Sequence, residues 1–581
     1  MKHTMFLFLV IMSSLARVFA QGVTSAPAKE SVNQRADKLF SKWDSTISPG
    51  CALAVMRESK VVYKRGYGMA ELDHNVPITP STVFHVASMS KQFTAAAIVM
   101  LAQEGKLSFD DSVQKYISEL PEFGAPITIR ELVHHTSGLR DQWDLLGFAG
   151  WRYSLDLITD DDVLRLFSRQ KTLNFLPGSR HMYCNTGYTL LAQIAKRVSG
   201  QSFRQFTTAR IFEPLGMTST HFRDDHAEIV KNSALGYQPA GETFRISITN
   251  FDTVGATSLL TTVEDLALWD ENFYHPRVGG PLMLGQMLEK GKLNDGQELD
   301  YAFGLVVGRH RGLSMISHGG GDAGYRSGMV RFPDQHFTVA CLCNVASANP
   351  SDLALDVAEL YLPKEMQSAE GQNATGKAIP VKLSEDQLKS KVGLYLNTDG
   401  DQARRIVLKD GGLQILPELE GESYEMEPLS ENEFRLKVAP VDFRFEQGSA
   451  GGKLRYVETA GTEKSGVFER IPEHIPSLDE LKQYTGAYRS QEIDPVYELS
   501  IEDSKLVIHR LKFEPDTLRP ITSDLFGGRD GNFRFTRDSR GHVTGLMINS
   551  GRVRNLRFEK GRSSLEDGEQ RGRWGADRDH K

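Results

Sequence analysis

A serine and a lysine three residues apart carry the first chemical signal of this chain: Ser88 and Lys91 in "FHVASMSKQF" (Phe84 to Phe93). The stretch that follows, "TAAAIVMLAQEGKLS", is rich in strong helix formers and predicts a helix closing at Gly105, a natural C-cap. With that helix beginning near Ser88, Ser88 and Lys91 are i and i+3 and share a face, while Ser90 points elsewhere. Serine is a weak nucleophile and needs a base beside it. Lysine can be that base once burial or a neighbouring positive charge lowers its pKa. Ser88 also lies at the helix N-terminus, where free N–H groups and the dipole favour the oxyanion formed by attack on a carbonyl. Without further partners the same pair reads as an N-cap serine and a solvated lysine.

Attack by serine also requires a proton donor for the leaving group and donors for the oxyanion. "PGSRHMYCNTGYTLL" contains Tyr183-Cys184-Asn185, and "SMISHGGGDAGYRS" contains His318-Gly319-Gly320. Rival matches exist at Tyr395-Leu396-Asn397 and His310-Arg311-Gly312. The first lies in a repeated region beyond a linker, and the second reads as an exposed hairpin turn. Taken singly, Tyr183 is an ordinary packed tyrosine and His318 a strand-end histidine beside a glycine turn.

In the order S-x-x-K, Y-x-N, H-x-G, the three motifs resemble the serine β-lactamase and penicillin-binding-protein superfamily, and within it the class C-like branch. "LVHHTSGL", "PLGMTST" and "TTVEDLALW" extend the resemblance from about residue 30 to 363. The residues after the linker resemble, more weakly, the β-barrels of D-aminopeptidases and related serine hydrolases. The resemblance implies that Ser88 is acylated and that Lys91 keeps it activated, with Tyr183 as proton shuttle. Which of Lys91 and Tyr183 is the base stays open. Asn185 would bind the substrate amide and orient Lys91, and His318 would replace the lysine of K-T-G. The backbone N–H groups of Ser88 and Gly321 would form the oxyanion hole. Gly319, Gly320 and Gly321 lack side chains, so substrate could lie close to that strand.

A neutral histidine lacks the fixed charge of a lysine. That points away from penicillin hydrolysis or a carboxypeptidase acting on a free carboxylate, and H-x-G resembles the D-aminopeptidases and esterases of the branch. The expectation is an exported serine hydrolase of a small-molecule or peptide amide or ester, with no cofactor or metal. A β-lactamase or D,D-peptidase is the alternative within the family, and a non-catalytic cell-wall or peptide-binding protein the alternative outside it. An amine substrate would need a negative partner, for which Asp322 and Asp530 in "FGGRDGNF" (Phe526 to Phe533) are candidates. The plainer reading makes Asp322 a turn cap and Asp530 a solvated turn residue.

These residues need a scaffold, and 581 residues suggest two to four domains. From residue 22 to 365 strand patterns at both ends flank a helical middle, which predicts an α/β (α+β) domain with one antiparallel sheet built from both termini. "CALAVMRES-KVVYKRGYG" reads as a hairpin within it. Residues 366–380 are small and polar, as in a linker. Beyond them "LKSKVGLY" (from Leu388) and "LKQYTGAY" (from Leu481), and "FRF" at Phe443 and Phe533, repeat at an offset of about ninety residues. That predicts two tandem all-β barrel-like domains, 381–473 and 474–560, which fold apart from the catalytic domain, followed by a disordered tail, 561–581.

"MKHTMFLFLVIMSSLARVFAQ" has a polar start, an apolar core of about eleven residues, too short to span a bilayer, and small residues ending at Ala20. Residues 1–20 are therefore read as a signal peptide of an exported, periplasmic or secreted protein, and no later stretch reads as a membrane helix. A net charge of -7 without a basic run before the tail argues against nucleic-acid binding. The four cysteines, Cys51, Cys184, Cys341 and Cys343, are not spaced as zinc ligands. A bridge between the strands of Cys51 and Cys341 or Cys343 fits an oxidising compartment, but free buried thiols are the plainer expectation. Oligomeric state is not legible.

Overall fold

The computed structural model describes residues 30–366 and 381–561, apart from 398, 400–401, 418, 438–440, 449–451 and 461–462 in the first barrel. The segments read as a signal peptide, as a linker after Met366 and as a disordered tail after Gly561 lie outside the described residues. Among the described residues no helix is long and apolar enough to cross a membrane.

The catalytic-type domain is built on a six-stranded antiparallel sheet. From edge to edge its strands are Val306–His310, Leu313–Asp322, Tyr325–Phe332, Phe337–Cys343, Cys51–Arg57 and Lys60–Tyr67. The N-terminal hairpin thus pairs with the last strand of the domain, closing one sheet from both ends. Alternate residues of Cys51–Arg57 serve opposite faces, as the two-residue period of a strand requires. Ala52, Ala54 and Met56 join the core that holds the helices Ser90–Gln103 and Asn185–Ser199. Cys51, Leu53 and Val55 face the helices Val32–Leu39 and Pro350–Tyr361. Both faces are covered, so Cys51 to Met56 are all buried. Ser90–Gln103 is buried all round rather than along one stripe, from Ser90 to Leu101.

Cys51 and Cys343 sit directly opposite one another in the register and form a disulfide, with Cα atoms 4.0 Å apart. This corrects the expectation of free thiols at those two positions. Cys184 and Cys341 are free and buried.

The repeat becomes two closed eight-stranded barrels, running from Gly393–Asn397 to Glu463–Ile471 and from Gly486–Arg489 to Leu556–Lys560. Each opens on a serine-capped helical turn, with a capping box from Ser384 to Gln387 in one and from Ser477 to Glu480 in the other. The repeated tyrosines do the same work: Tyr395 Oη donates to Lys391 O at 2.7 Å and Tyr488 Oη to Tyr484 O at 2.8 Å.

The first barrel has a core of its own around Tyr395, Phe443 and Tyr456. That of the second barrel runs without a break into the catalytic domain, joining Tyr484, Tyr488 and Tyr497 to Leu145 and Phe148. At this seam Arg140 is fully buried. It donates to Glu492 Oε2 at 2.6 Å, Gln170 Oε1 at 2.8 Å, Thr172 Oγ1 at 2.8 Å, and the carbonyls of Arg554 and Asn555 at 3.0 Å each. Removing the carboxylate would strand a buried guanidinium. Glu492→Ala is therefore expected to cost about 3–5 kcal/mol of stability, read as a fall in urea midpoint. A loss under about 1 kcal/mol would show that the seam tolerates the lone charge.

Candidate active site

The site lies where the helix Ser90–Gln103 meets the strand Leu313–Asp322. The helix starts slightly later than its sequence suggests: a 3-10 turn, Ala87–Met89, precedes it and carries Ser88. Ala87 adopts φ +49°, a conformation that costs a non-glycine residue about 1–3 kcal/mol and sharpens the turn that presents Ser88. Ser88 is partly exposed. Ser90 is fully buried, and its Oγ donates to Ala87 O at 2.6 Å and accepts from Leu259 N at 3.1 Å. The two serines thus divide as their spacing predicts.

Lys91 is 0 % exposed, yet its Nζ has three partners: Ser88 Oγ at 3.0 Å, Asn185 Oδ1 at 2.9 Å and Ala256 O at 2.8 Å. Burial pulls its pKa down to about 7, helped by Arg552 and opposed by the carboxylates of Asp141 and Asp322. The partners then settle where the lone pair of a neutral amine points. The two carbonyl oxygens only accept, so they take the two N–H groups. The third direction, towards Ser88 Oγ–H, is left as acceptor.

Asn185 opens the helix Asn185–Ser199. Its N–H and Nδ2 both donate to Asp141 Oδ2, at 2.7 and 2.9 Å, which turns Oδ1 towards Lys91. Asp141 is also the N-cap of the helix Gln142–Phe148, accepting from Trp143 N at 3.0 Å. The Tyr183 hydroxyl interacts with Ser88, and the Tyr183 ring lies 4.8 Å from Lys91 Nζ. Burial raises the Tyr183 pKa, with Ser88 and Arg552 acting the other way. The ring is backed by His135, with centroids 4.2 Å apart.

On the opposite strand, burial holds His318 down to about 4, so it is neutral. Its Nδ1 pairs with Gly319 O at 2.6 Å and its Nε2 with Tyr301 Oη at 3.2 Å. A carbonyl can only accept, so the proton is on Nδ1 and Nε2 accepts from the tyrosine. A Cβ on Gly320 would sit 2.4 Å from Val86 O and 2.9 Å from Ser88 N, so only glycine lets this strand close on the turn that carries Ser88. Val306–His310 pairs with this strand only as far as Ser317, which leaves the edge from His318 to Asp322, including Gly321, open on that side.

Ser88, Lys91, Tyr183, Asn185, His318 and Gly320 are thus gathered at one place. The two acidic candidates are not available there. Asp322 is buried and engaged by His85 Nε2 at 2.9 Å and by Thr257 Oγ1, so it is neither a free partner for an amine nor a simple turn cap. Asp530 pairs with Arg510, and its hairpin lines a cavity between the two barrels instead. Sequence reasoning missed Asp141, Tyr301 and Arg552. Asp141 carries a local signal, an aspartate before a short aromatic helical stretch. The other two carry none.

Sheet, helices and site place the chain in a family: it belongs to the Beta-lactamase family, which it matches over residues 34–362. The chain is 30% identical over 425 residues to "Penicillin-binding protein 4*" of Bacillus subtilis (strain 168), covering 70% of this chain and 92% of that protein. It is 26% identical over 461 residues to "D-aminopeptidase" of Gluconobacter oxydans (strain 621H), covering 78% of this chain and 82% of that one. The solved octameric penicillin-binding protein homologue from Pyrococcus abyssi shares the fold, with a TM-score of 0.53 and 22% identity over 84% of this chain and 100% of that one. The expected β-lactamase-like domain followed by two β-barrels is what the chain contains.

Proposed function

We propose that the protein is an exported serine hydrolase that forms an acyl-enzyme on an amide or ester, in the manner of a D-aminopeptidase or esterase. One observation carries this reading: Lys91 Nζ stands 3.0 Å from Ser88 Oγ with its other two hydrogen-bonding directions occupied by carbonyl oxygens. In the proposed reaction Lys91 Nζ takes the Ser88 proton as Oγ bonds to the substrate carbonyl carbon. The oxyanion is met by the N–H groups of Ser88 and Gly321, and Gly320 keeps that pair close. Collapse expels the leaving group, protonated through Tyr183, and water then attacks the acyl-enzyme by the same route in reverse. Asn185 holds Lys91 and offers its side chain to the substrate amide. His318 donates no charge, which favours substrates other than penicillins.

Export fits the Cys51–Cys343 disulfide, since such bonds persist in oxidising compartments. N-terminal sequencing of the protein recovered from the periplasm or medium should find residues 1–20 removed. Full-length protein retained in the cytoplasm would count against export. The hydrolase reading is tested with a fluorophosphonate probe followed by a panel of esters, D-amino-acid amides and β-lactams. An adduct on Ser88 with turnover of an ester or amide is expected. Absence of any adduct would favour a non-catalytic peptide-binding protein.

A further inference from the structure

The second barrel sends into the cleft a side chain that none of the motifs accounts for. The loop between its strands Val543–Asn549 and Leu556–Lys560 lies against the catalytic domain. The backbone of Arg552 in this loop is pinned at three points. Its N–H donates to Asp144 Oδ2 at 3.2 Å, and its carbonyl accepts from Asp141 N at 3.2 Å and Asn174 Nδ2 at 2.9 Å. The guanidinium is held over the Tyr183 ring, 5.1 Å from the centroid, on the same ring that Lys91 approaches.

Its charge is poorly matched by the protein. Among the described residues its nearest carboxylate oxygen is Asp141 Oδ2 at 3.7 Å, beyond hydrogen-bonding distance, and that oxygen already accepts twice from Asn185. The Arg552 side chain is 43% exposed, while Asp141 is fully buried. A half-exposed guanidinium fixed by its own main chain and resting on an aromatic face is preorganised for an anion, and its planar fork suits a carboxylate. The position matters as well. Tyr183 is the group placed to protonate the leaving group, so Arg552 stands beside the part of the substrate that departs. Among the described residues, Asp322 is engaged by His85 and Thr257 and Asp141 by Asn185, so neither is free to meet an amine.

We propose that Arg552 is a specificity residue: it binds a carboxylate on the leaving portion of the substrate, so that this hydrolase takes esters or amides whose leaving portion is anionic ahead of those whose leaving portion is neutral or bears an amine. The proposal rests on the serine-hydrolase reading and narrows its substrate class.

The test uses the full chain and three matched substrates: an N-acyl depsipeptide whose leaving hydroxy acid keeps its carboxylate, its methyl ester, and an analogue ending in an amine. The wild-type protein is expected to turn over the carboxylate form with the highest kcat/KM. Arg552→Ala should lower the ratio of carboxylate to methyl-ester turnover by roughly 10- to 100-fold, the worth of a charge-assisted contact. Arg552→Lys, which keeps a point charge without the fork, should lose less, and Arg552→Glu should turn the preference towards the amine. A wild-type protein indifferent to the carboxylate, or variants that lose all three substrates in parallel, would overturn the proposal and leave Arg552 a structural link to Asp141. Fluorophosphonate labelling of the same preparations separates the two failures. Labelling of Ser88 with a flat substrate ratio sinks only the role of Arg552, whereas no labelling of the wild-type protein sinks the hydrolase reading with it.

Discussion

Ser88→Ala is expected to abolish covalent labelling and to lower kcat/KM at least about a thousandfold, the usual consequence of removing a nucleophile. Its near neighbour Ser90 cannot substitute. Ser90, two residues on, is fully buried and spends its Oγ on Ala87 O and Leu259 N. Ser90→Ala should therefore cost stability, about 1 kcal/mol for a lost buried hydrogen bond, while labelling persists. Near-normal turnover in Ser88→Ala, or a probe that moves to Ser90, would sink the assignment.

The second large effect belongs to Lys91. With its pKa lowered to about 7, Lys91 is half protonated near neutrality and cannot accept the Ser88 proton while charged. The sign follows directly: kcat/KM should fall about tenfold per pH unit below about 7 and level off above it. His318, held at about 4, is neutral on both sides of that limb and cannot produce it. Lys91→Arg retains the charge but never deprotonates, so it should lose at least about a thousandfold and the limb with it. Tyr183→Phe shares the proton path through Ser88, and the double variant should be little worse than the worse single one. An acid limb that survives in Lys91→Arg, or defects that multiply independently, would show that the base lies elsewhere.

Much of the site was legible because its logic is local or ordered along the chain. Ser88 and Lys91 meet through the geometry of one helical turn, and the exclusion of Ser90 follows from the same geometry. The hairpin at Cys51 and the repeat at Tyr395 and Tyr488 are likewise written in alternation and recurrence, which backbone periodicity converts directly into strands. Tyr183 and His318 were recognised by the order of their motifs, not by any local rule. The disulfide was misjudged because the sequence supplies three cysteines on two strands, and the choice among them depends on register. Only the pairing of Cys51 opposite Cys343 decides it.

What the sequence by itself determined is the identity and order of the reactive groups: a serine, a lysine one turn on, a tyrosine, an asparagine, a histidine and a run of glycines. What only the tertiary structure decided is the state of those groups. Lys91 is a usable base because folding removes it from water and sets Asn185, 94 residues away, against its amine. His318 is neutral for the same reason. Arg552 reaches Asp141, some four hundred residues earlier, because Arg140 and Glu492 lock the second barrel onto the catalytic domain. Desolvation and long-range electrostatics depend on what surrounds a group in space, and no spacing along the chain encodes that.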